Sequence, residues 1–354
     1  STSRMVDSLL FEMGLRTGRF TSPHLESFLE RIAINGEPIP AVDAIFAYND
    51  IAAYLDLMDS KFEHPISFFE AITALAFVAF AEHPIDVGVI EVGMGGRLDS
   101  TNIITPLISV ITNIGLDHTQ FLGDTLEAIA FEKAGIIKNN IPVVIGEHLP
   151  ETKPVFTTKA KETHSELYFA SDLVLEDYPC GLLGDYQFYN KKTVIQTLRV
   201  LQEKQLLQIS EDDIKNGFLK VIDNTHLQGR WQQLGTNPKI ICDTAHNAHG
   251  LTVVIEQLKK EKYNQLHLVL GVVNDKKLDD ILILLPKNAQ YYFCKPNISR
   301  GLEATVLQEK AATFGLNGAI YNSVSEAYEH SRKMAAAEDF IYVGGSTFVV
   351  AEIL

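Results

Sequence analysis

From residue 2 to residue 13 the apolar positions Met5, Val6, Leu9, Leu10 and Met13 recur at a spacing that places them on one side of a helix, and Gly14 stands where that helix should end. Similar patterns predict helices over 41 to 58 and over 67 to 82. The second of these is apolar on most faces, as expected of a helix buried against a sheet. Short runs rich in Val and Ile follow at 86 to 91, 107 to 111 and 141 to 145, bounded by Gly, Pro or Asn. Such runs read as parallel strands buried on both faces. A helix over 124 to 135 separates the last two, which gives a βαβ rhythm and a doubly wound α/β sheet.

A second series opens with a strand over Lys239 to Cys242. It continues through a helix near 248 to 260, a strand from Leu266 to Gly271, a helix over 276 to 285 and a strand over 290 to 294. Helices over 302 to 314 and 323 to 335 and a strand from Phe340 to Val343 complete it. This alternation is that of a second, smaller Rossmann-like unit. Residues 222 to 237 between the series read as polar and irregular, so the boundary is expected near 227, with domains over 1–227 and 228–354. Periodicity fades over 151 to 184, and the awkward junction at Tyr178-Pro179-Cys180-Gly181 raises the expectation that residues are absent there.

Two domains also suit the length of 354 residues, and 46% hydrophobic against 21% charged residues is enough to build both cores. Lys and Arg number 30 against 45 Asp and Glu, a formal charge of -15. That balance repels nucleic acid, and no basic run of five interrupts it. An anionic metabolite would likewise need positive charge supplied locally, by a metal, Arg, Lys or a helix N-terminus. Cys180, Cys242 and Cys294 are too scattered for a zinc knuckle or a disulfide framework. The cytoplasm is the expected compartment. No apolar stretch reaches the roughly 20 residues of a membrane span, and the first residues lack a signal-peptide profile.

Chemistry concentrates where strands end. Glu91-Val92-Gly93-Met94-Gly95-Gly96-Arg97-Leu98-Asp99 follows the run Val87 to Ile90 directly. A carboxylate leading into a glycine-rich turn at the carboxyl end of a buried strand is placed for ligand binding, and Glu91 suits Mg²⁺ as a hard oxygen donor. The alternative is a strand-end Glu satisfied by backbone amides. Thr112 to His118 repeats the arrangement one strand later, where His118 could reach the same metal or orient a water on it. In Phe131 to Lys138, Lys138 suits a helix-end charge, while Lys133 sits among apolar neighbours and could point into the site. Thr21-Ser22-Pro23-His24-Leu25 is a turn whose Ser22 offers a hydroxyl to Mg²⁺, or else simply a helix entry.

In the second series, Cys242-Asp243-Thr244-Ala245-His246-Asn247 also ends a strand. Asp243 and His246 suit a ribose or a reacting group, or belong to an Asx turn capping the next helix. Arg230, in Gly229-Arg230-Trp231, carries a guanidinium able to grip phosphate or carboxylate. Gly344-Gly345-Ser346 could line an anion pocket or serve only a turn.

Taken in order, these segments resemble the folylpolyglutamate synthase and dihydrofolate synthase family, related to the Mur ligases. Thr21 to Leu25, with Glu30-Arg31-Ile32 and Asn35-Gly36, is similar to the folate branch's own signature. The resemblance implies a P-loop-type ATPase domain with a mostly parallel sheet, then a Rossmann-like α/β domain, with ATP and glutamate sites in the cleft between them. It implies ATP-dependent ligation of L-glutamate to a folate or dihydropteroate carboxylate through an acyl phosphate, usually by a monomer. Ser1, Ser22, Glu91 and His118 would hold Mg²⁺, and Lys133 would be the lysine carbamylated in such enzymes. Arg230, Asp243, His246 and Asn247 would face the nucleotide, and Phe69 would contact the nucleotide or folate ring.

The family's phosphate loop, Gly-Thr-Asn-Gly-Lys-Gly-Ser, is met only at its final residue, Ser1, so further residues are expected ahead of it. A lesser departure is Asn274-Asp275-Lys276-Lys277, where the family often has Asp-Lys-Asp. Two other readings stay open at this stage: a Mur-type ligase acting on a nucleotide-linked peptide precursor, and a nucleotide-binding module without catalysis. Whether one or both folate reactions are catalysed is also open.

Overall fold

Helix Thr2–Glu12 runs almost as its pattern predicts, burying Met5, Leu9 and Leu10, and the chain leaves it through Gly14 at φ +78°. That left-handed conformation favours glycine, which meets no Cβ penalty there. In the computed structural model, which describes residues 1–61, 65–174, 178–274 and 277–354, the chain divides into two units. One comprises Ser1–Gly181 with Gln187–Leu227, the other Leu182–Tyr186 with Gln228–Leu354.

In the first unit, strands lie in order Glu37–Pro38, Ile32–Ile34, Thr17–Phe20, Val87–Ile90, the last two parallel and the others antiparallel. A separate parallel sheet joins Ser109–Ile111, Val143–Ile145 and Leu167–Phe169. Of the runs at 86 to 91, 107 to 111 and 141 to 145, read as parallel strands of one sheet buried on both faces, the second and third do pair in parallel, and only the first is corrected. The first of them pairs with Thr17–Phe20 and is only half-buried, with Gly88 exposed. Helices Ala41–Lys61 and Phe68–Glu82 pack together over a core of Phe20, Ile32, Ala47, Ile51, Ile72 and Phe80. Phe68–Glu82 starts in a capping box, Ser67 and Glu70 satisfying each other's backbone N–H groups.

Thr17–Phe20 escapes the hydrophobic pattern because Arg19 stands within it. That side chain is fully buried, and its Nη1 donates to Asp7 Oδ2 from helix Thr2–Glu12, while Arg19 Nε and Asp7 Oδ1 are left without partners. Breaking a buried ion pair strands a charge, so Asp7→Ala is expected to cost about 3–5 kcal/mol. Urea unfolding followed by circular dichroism would check this, and a loss below about 1 kcal/mol would contradict it.

The faded segment contains helix Lys153–Glu162 and strand Leu167–Phe169. Helices Gln187–Glu203 and Glu211–Leu219 then close the first unit.

The second unit is a six-stranded sheet in order Gly318–Ile320, Gln290–Phe293, Leu266–Leu270, Phe340–Gly344, Lys239–Asp243, Gln232–Thr236. Only the last pairing is antiparallel. Helices Ala248–Leu258, Leu278–Leu282, Ala304–Thr313 and Val324–Met334 accompany it as expected. The start of the helix placed at 276, and Asp275 and Lys276 of the departure from the family pattern, lie outside the described residues. The span 222 to 237 is not irregular: helix Val221–Thr225 ends within it and strand Gln232–Thr236 lies inside it. An antiparallel edge strand, open on one side, tolerates the polar sequence Gln232-Gln233, which hid it from the pattern.

Candidate functional site

Register brings the first two candidates together. Phe20 and Ile90 are partners in parallel strands, so the chains leaving them, at Thr21-Ser22 and at Glu91, emerge side by side at one sheet edge. The N–H of Ser22 donates to Glu91 Oε2 at 3.3 Å, and the N–H of Glu91 to the Phe20 carbonyl at 2.9 Å. The Ser22-Pro23 bond is cis, and the chain continues as an open turn rather than entering a helix.

The glycine turn after Glu91 is seated on the end of helix Leu126–Ala134. Arg97 N–H donates to the Glu132 carbonyl at 2.8 Å, and the Arg97 guanidinium meets the Glu132 carboxylate at 3.0–3.2 Å. A Cβ on Gly96 would lie 2.9 Å from the Lys133 carbonyl, and one on Gly135 would lie 2.4 Å from Arg97 Cα. Backbone meets backbone here, so neither neighbour can give way. Gly135→Ala is therefore expected to push the turn off the helix at a cost of about 1–3 kcal/mol. Thermal melting with and without nucleotide would measure this, and a full native melting temperature would refute it.

Lys133 lies on the same helix end. Burial lowers the pKa of its amine below the usual lysine value, against the opposing pull of Asp117 and Asp99. Those two carboxylates come from the loop ending at His118 and from the glycine turn, so charges from two other segments act on this half-buried lysine. Asp99 also accepts N–H bonds from Met94 and Thr101, which holds the turn closed. Asp117 caps the N–H of His118 at 2.9 Å, and His118 takes a left-handed φ of +50° with its side chain 45% exposed. Positive φ on a non-glycine residue is uncommon and concentrates at functional loops.

Glu91 joins a second charged cluster. Its field, with those of Asp7 and Glu30, partly offsets the burial and the neighbouring Arg19 that push the Arg4 guanidinium down to about 9. Arg4 lies one turn after Ser1, and its Nη1 donates to the Thr225 carbonyl. Ser1 Oγ accepts from Gln187 Nε2 at 3.3 Å. Phe69 is not an open ring platform: it packs 5.8 Å from Phe20 and against Gly93, where a Cβ would come within 2.4 Å of it. The ring beside it is open. Phe68 is 60% exposed, with Arg31 stacked 5.4 Å over it and Phe28 against its edge. Arg31 Nε in turn donates to His24 Nδ1 at 2.8 Å, a grouping that sequence reading missed because Phe68 looked like one of several helix-core residues.

In the second unit Asp243 is buried with both oxygens engaged, Oδ1 by Ala245 N–H and Oδ2 by Trp231 N–H and the Tyr186 hydroxyl. Arg230 Nη1 donates to Thr244 Oγ1. His246 Nδ1 donates to the Thr244 carbonyl at 3.0 Å, which fixes its tautomer. The Asn247 side chain caps helix Ala248–Leu258 through Gly250 N–H at 2.8 Å, the Asx role left open by the sequence. Ser346 likewise caps the short helix after Gly344-Gly345.

Among the described residues no three His, Cys, Asp or Glu side chains gather to hold a metal. The candidate set needs only Glu91 and His118 of those types, completed by serine hydroxyls. Such a sparse, oxygen-rich set fits Mg²⁺, which keeps several waters and takes phosphate oxygens rather than an all-protein cage.

Comparison with known proteins shows what the chain is similar to. Residues 43–172 match the Mur ligase middle domain, and residues 229–347 the Mur ligase glutamate ligase domain. The dihydrofolate synthase/folylpolyglutamate synthase of Escherichia coli is 30% identical over 100% of this chain and 83% of its own length. The chain belongs to the folylpolyglutamate synthase/dihydrofolate synthase family. Within this family the Buchnera aphidicola protein of the same name is also 30% identical, with 84% of its length covered. A Haloferax volcanii protein named as a probable bifunctional folylpolyglutamate synthase/dihydropteroate synthase is 33% identical, but the chain spans only 44% of it. The E. coli family structure with DHPP and ADP superposes with TM-score 0.88, covering 99% of this chain and 84% of that one. The Mycobacterium tuberculosis folylpolyglutamate synthase with ADP and AMPPCP does so at 0.89, with 30% identity and 99% and 86% coverage. The fold is accordingly the family's α/β architecture with parallel sheets. No helix among the described residues is long and apolar enough to cross a membrane.

Proposed function

We propose that this family member joins L-glutamate to the carboxylate of a folate or dihydropteroate at the expense of ATP, acting as a monomer in the cytoplasm. The observation that carries the reading is that charges of the glycine turn and of the Asp117-His118 loop act on half-buried Lys133, while Ser22 meets Glu91 where that turn begins. Relatives solved with DHPP, with ADP, and with AMPPNP and a Mn ion support the choice of substrates and of a divalent metal.

A carboxylate is a poor electrophile because its delocalised charge repels an amine. Phosphoryl transfer from ATP turns it into an acyl phosphate, which the glutamate amine then attacks to give amide and phosphate. Ser1, Ser22, Glu91 and His118 would hold Mg²⁺, which would supply positive charge against that developing on phosphate oxygens. The chain's own residues chiefly orient. Ser22 is held by its backbone contact to Glu91, and Arg97 clamps the glycine turn onto the Lys133 helix. In the second unit we assign Arg230 and His246 to the nucleotide, with Asn247 setting the helix start beside them.

Incubating the full-length protein with ATP, glutamate and dihydropteroate should release ADP and phosphate together with the glutamyl product. Turnover only with a UDP-linked muropeptide would overturn the reading in favour of a Mur-type ligase. Chelation with EDTA is expected to abolish turnover and excess Mg²⁺ to restore it, since phosphoryl transfer of this class depends on the metal. Undiminished turnover in EDTA would contradict the metal assignment.

A further inference from the structure

The carboxyl end of strand Lys239–Asp243 encloses a carboxylate that is 2% exposed. Asp243 Oδ2 accepts the Trp231 N–H at 2.7 Å and the Tyr186 O–H at 2.8 Å, and Oδ1 accepts the Ala245 N–H at 2.8 Å. Tyr186 arrives on the segment Leu182–Tyr186, which groups with the second unit although the residues on either side of it belong to the first. That segment is itself fastened. Gln257 accepts from Asp185 N–H at 2.7 Å and donates to the Leu183 carbonyl at 3.0 Å, and Lys260 pairs with Asp185 at 2.6 Å.

Of the residues that donate to Asp243, Trp231 directly follows Arg230 in the chain. Gly229 has φ +69° and Trp231 φ +47°, so the turn carrying Arg230 is bracketed by two left-handed residues. For a bulky residue such as Trp231 that conformation is strained and persists only when its surroundings hold it. The surroundings here are the Asp243 carboxylate on its N–H, the Thr244 N–H on the Gly229 carbonyl at 3.0 Å, and burial of the indole near Tyr342.

We propose that Tyr186 is a positioning residue: by donating to Asp243 it completes a latch that holds the Gly229–Trp231 turn and presents the Arg230 guanidinium to nucleotide phosphate. This rests on the reading of Arg230 as a nucleotide contact. The part of Asp243 in nucleotide handling is then indirect, exerted through Arg230. Burial and the adjacent carboxylate push the Tyr186 phenol well above its ordinary pKa, so it keeps its proton and goes on donating throughout the working pH range. Tyr186→Phe keeps the ring and removes one donor from a buried carboxylate, which leaves Asp243 under-satisfied and frees the strained turn to relax.

ADP affinity measured by calorimetry on the full-length protein tests the latch. Tyr186→Phe is expected to weaken ADP binding about tenfold, which is about 1.4 kcal/mol. Arg230→Ala should weaken it at least as much, and the double variant should be no weaker than Arg230→Ala alone, because the hydroxyl acts only through the guanidinium. Asp243→Asn, which keeps the shape but exchanges the carboxylate, serves as a second variant with the same expected loss and the same non-additivity. The protein's single tryptophan is Trp231, so its emission should shift to the red in Tyr186→Phe. Additive losses in the cycle would overturn the latch, as would a lowered melting temperature with unchanged ADP affinity and emission. If the unmodified protein binds ADP but forms no glutamyl product, the ligase reading falls while the cycle still judges the latch.

Discussion

Glu91→Gln is expected to lower kcat by about a hundredfold or more, since even an outer-shell partner of a metal site is worth 10–100-fold and a direct ligand more. The amide keeps the size of the side chain and can still accept from Ser22 N–H, so the fold should survive. With Glu91 as the proposed metal ligand, removing its charge would weaken the hold on Mg²⁺ and so the neutralisation of the transferring phosphoryl group. The diagnostic measurement is activity against magnesium concentration: the variant should need far more metal and still fall short of full turnover. Identical titration curves for both proteins would remove Glu91 from the metal site.

The second large effect is expected at Lys133. Burial disfavours its ammonium form, so its folded pKa lies below that of the unfolded chain. For a group shifted in this direction the sign is fixed: the charged lysine penalises the fold, the penalty is absent above the unfolded pKa, and stability is lost as pH falls through the folded value. The modification that the family resemblance implies would draw on the neutral form: the amine adds to CO₂, loses its proton and becomes an anionic carbamate. The neutral fraction grows with pH, and a depressed pKa brings that growth closer to neutrality. Activity after CO₂ depletion is therefore expected to fall, to recover with bicarbonate, and to recover more completely at pH 8.5 than at 6.5. Lys133→Arg keeps a cation but cannot form the carbamate, and should lose about a hundredfold in kcat, the scale of one preorganised electrostatic group. Bicarbonate-independent activity, or full turnover by Lys133→Arg, would show that the lysine acts unmodified or not at all.

Elements with one clear period were legible. Helix Thr2–Glu12 and the helices and strands expected from Lys239 onward sit within a few residues of their bounds, because each buries one consistent face, while strand Gly318–Ile320 and helix Thr347–Ala351 were not expected. Thr17–Phe20 and Gln232–Thr236 were not legible. Arg19 reads as a surface charge until Asp7 arrives from another element to pair with it, and the polar edge strand is defined by its neighbour rather than by its own composition. The same holds at the site. Strand-end motifs pointed to Glu91, His118 and Asp243, and a helix end to Lys133, but their spacing could not tell that Phe69 is packed under a glycine or that Asp243 is enclosed by Tyr186 and Trp231.

The α/β class and the candidate residues follow from local pattern, because hydrophobic periodicity and strand-end chemistry act over a few neighbouring residues, and the kind of protein follows from the family resemblance that the motif order carries. Which strands pair, which carboxylate surrounds which cation and which aromatic ring stays open depend on contacts between residues far apart in the chain. Burial sets the strength of each of those interactions, and burial exists only once the chain has folded.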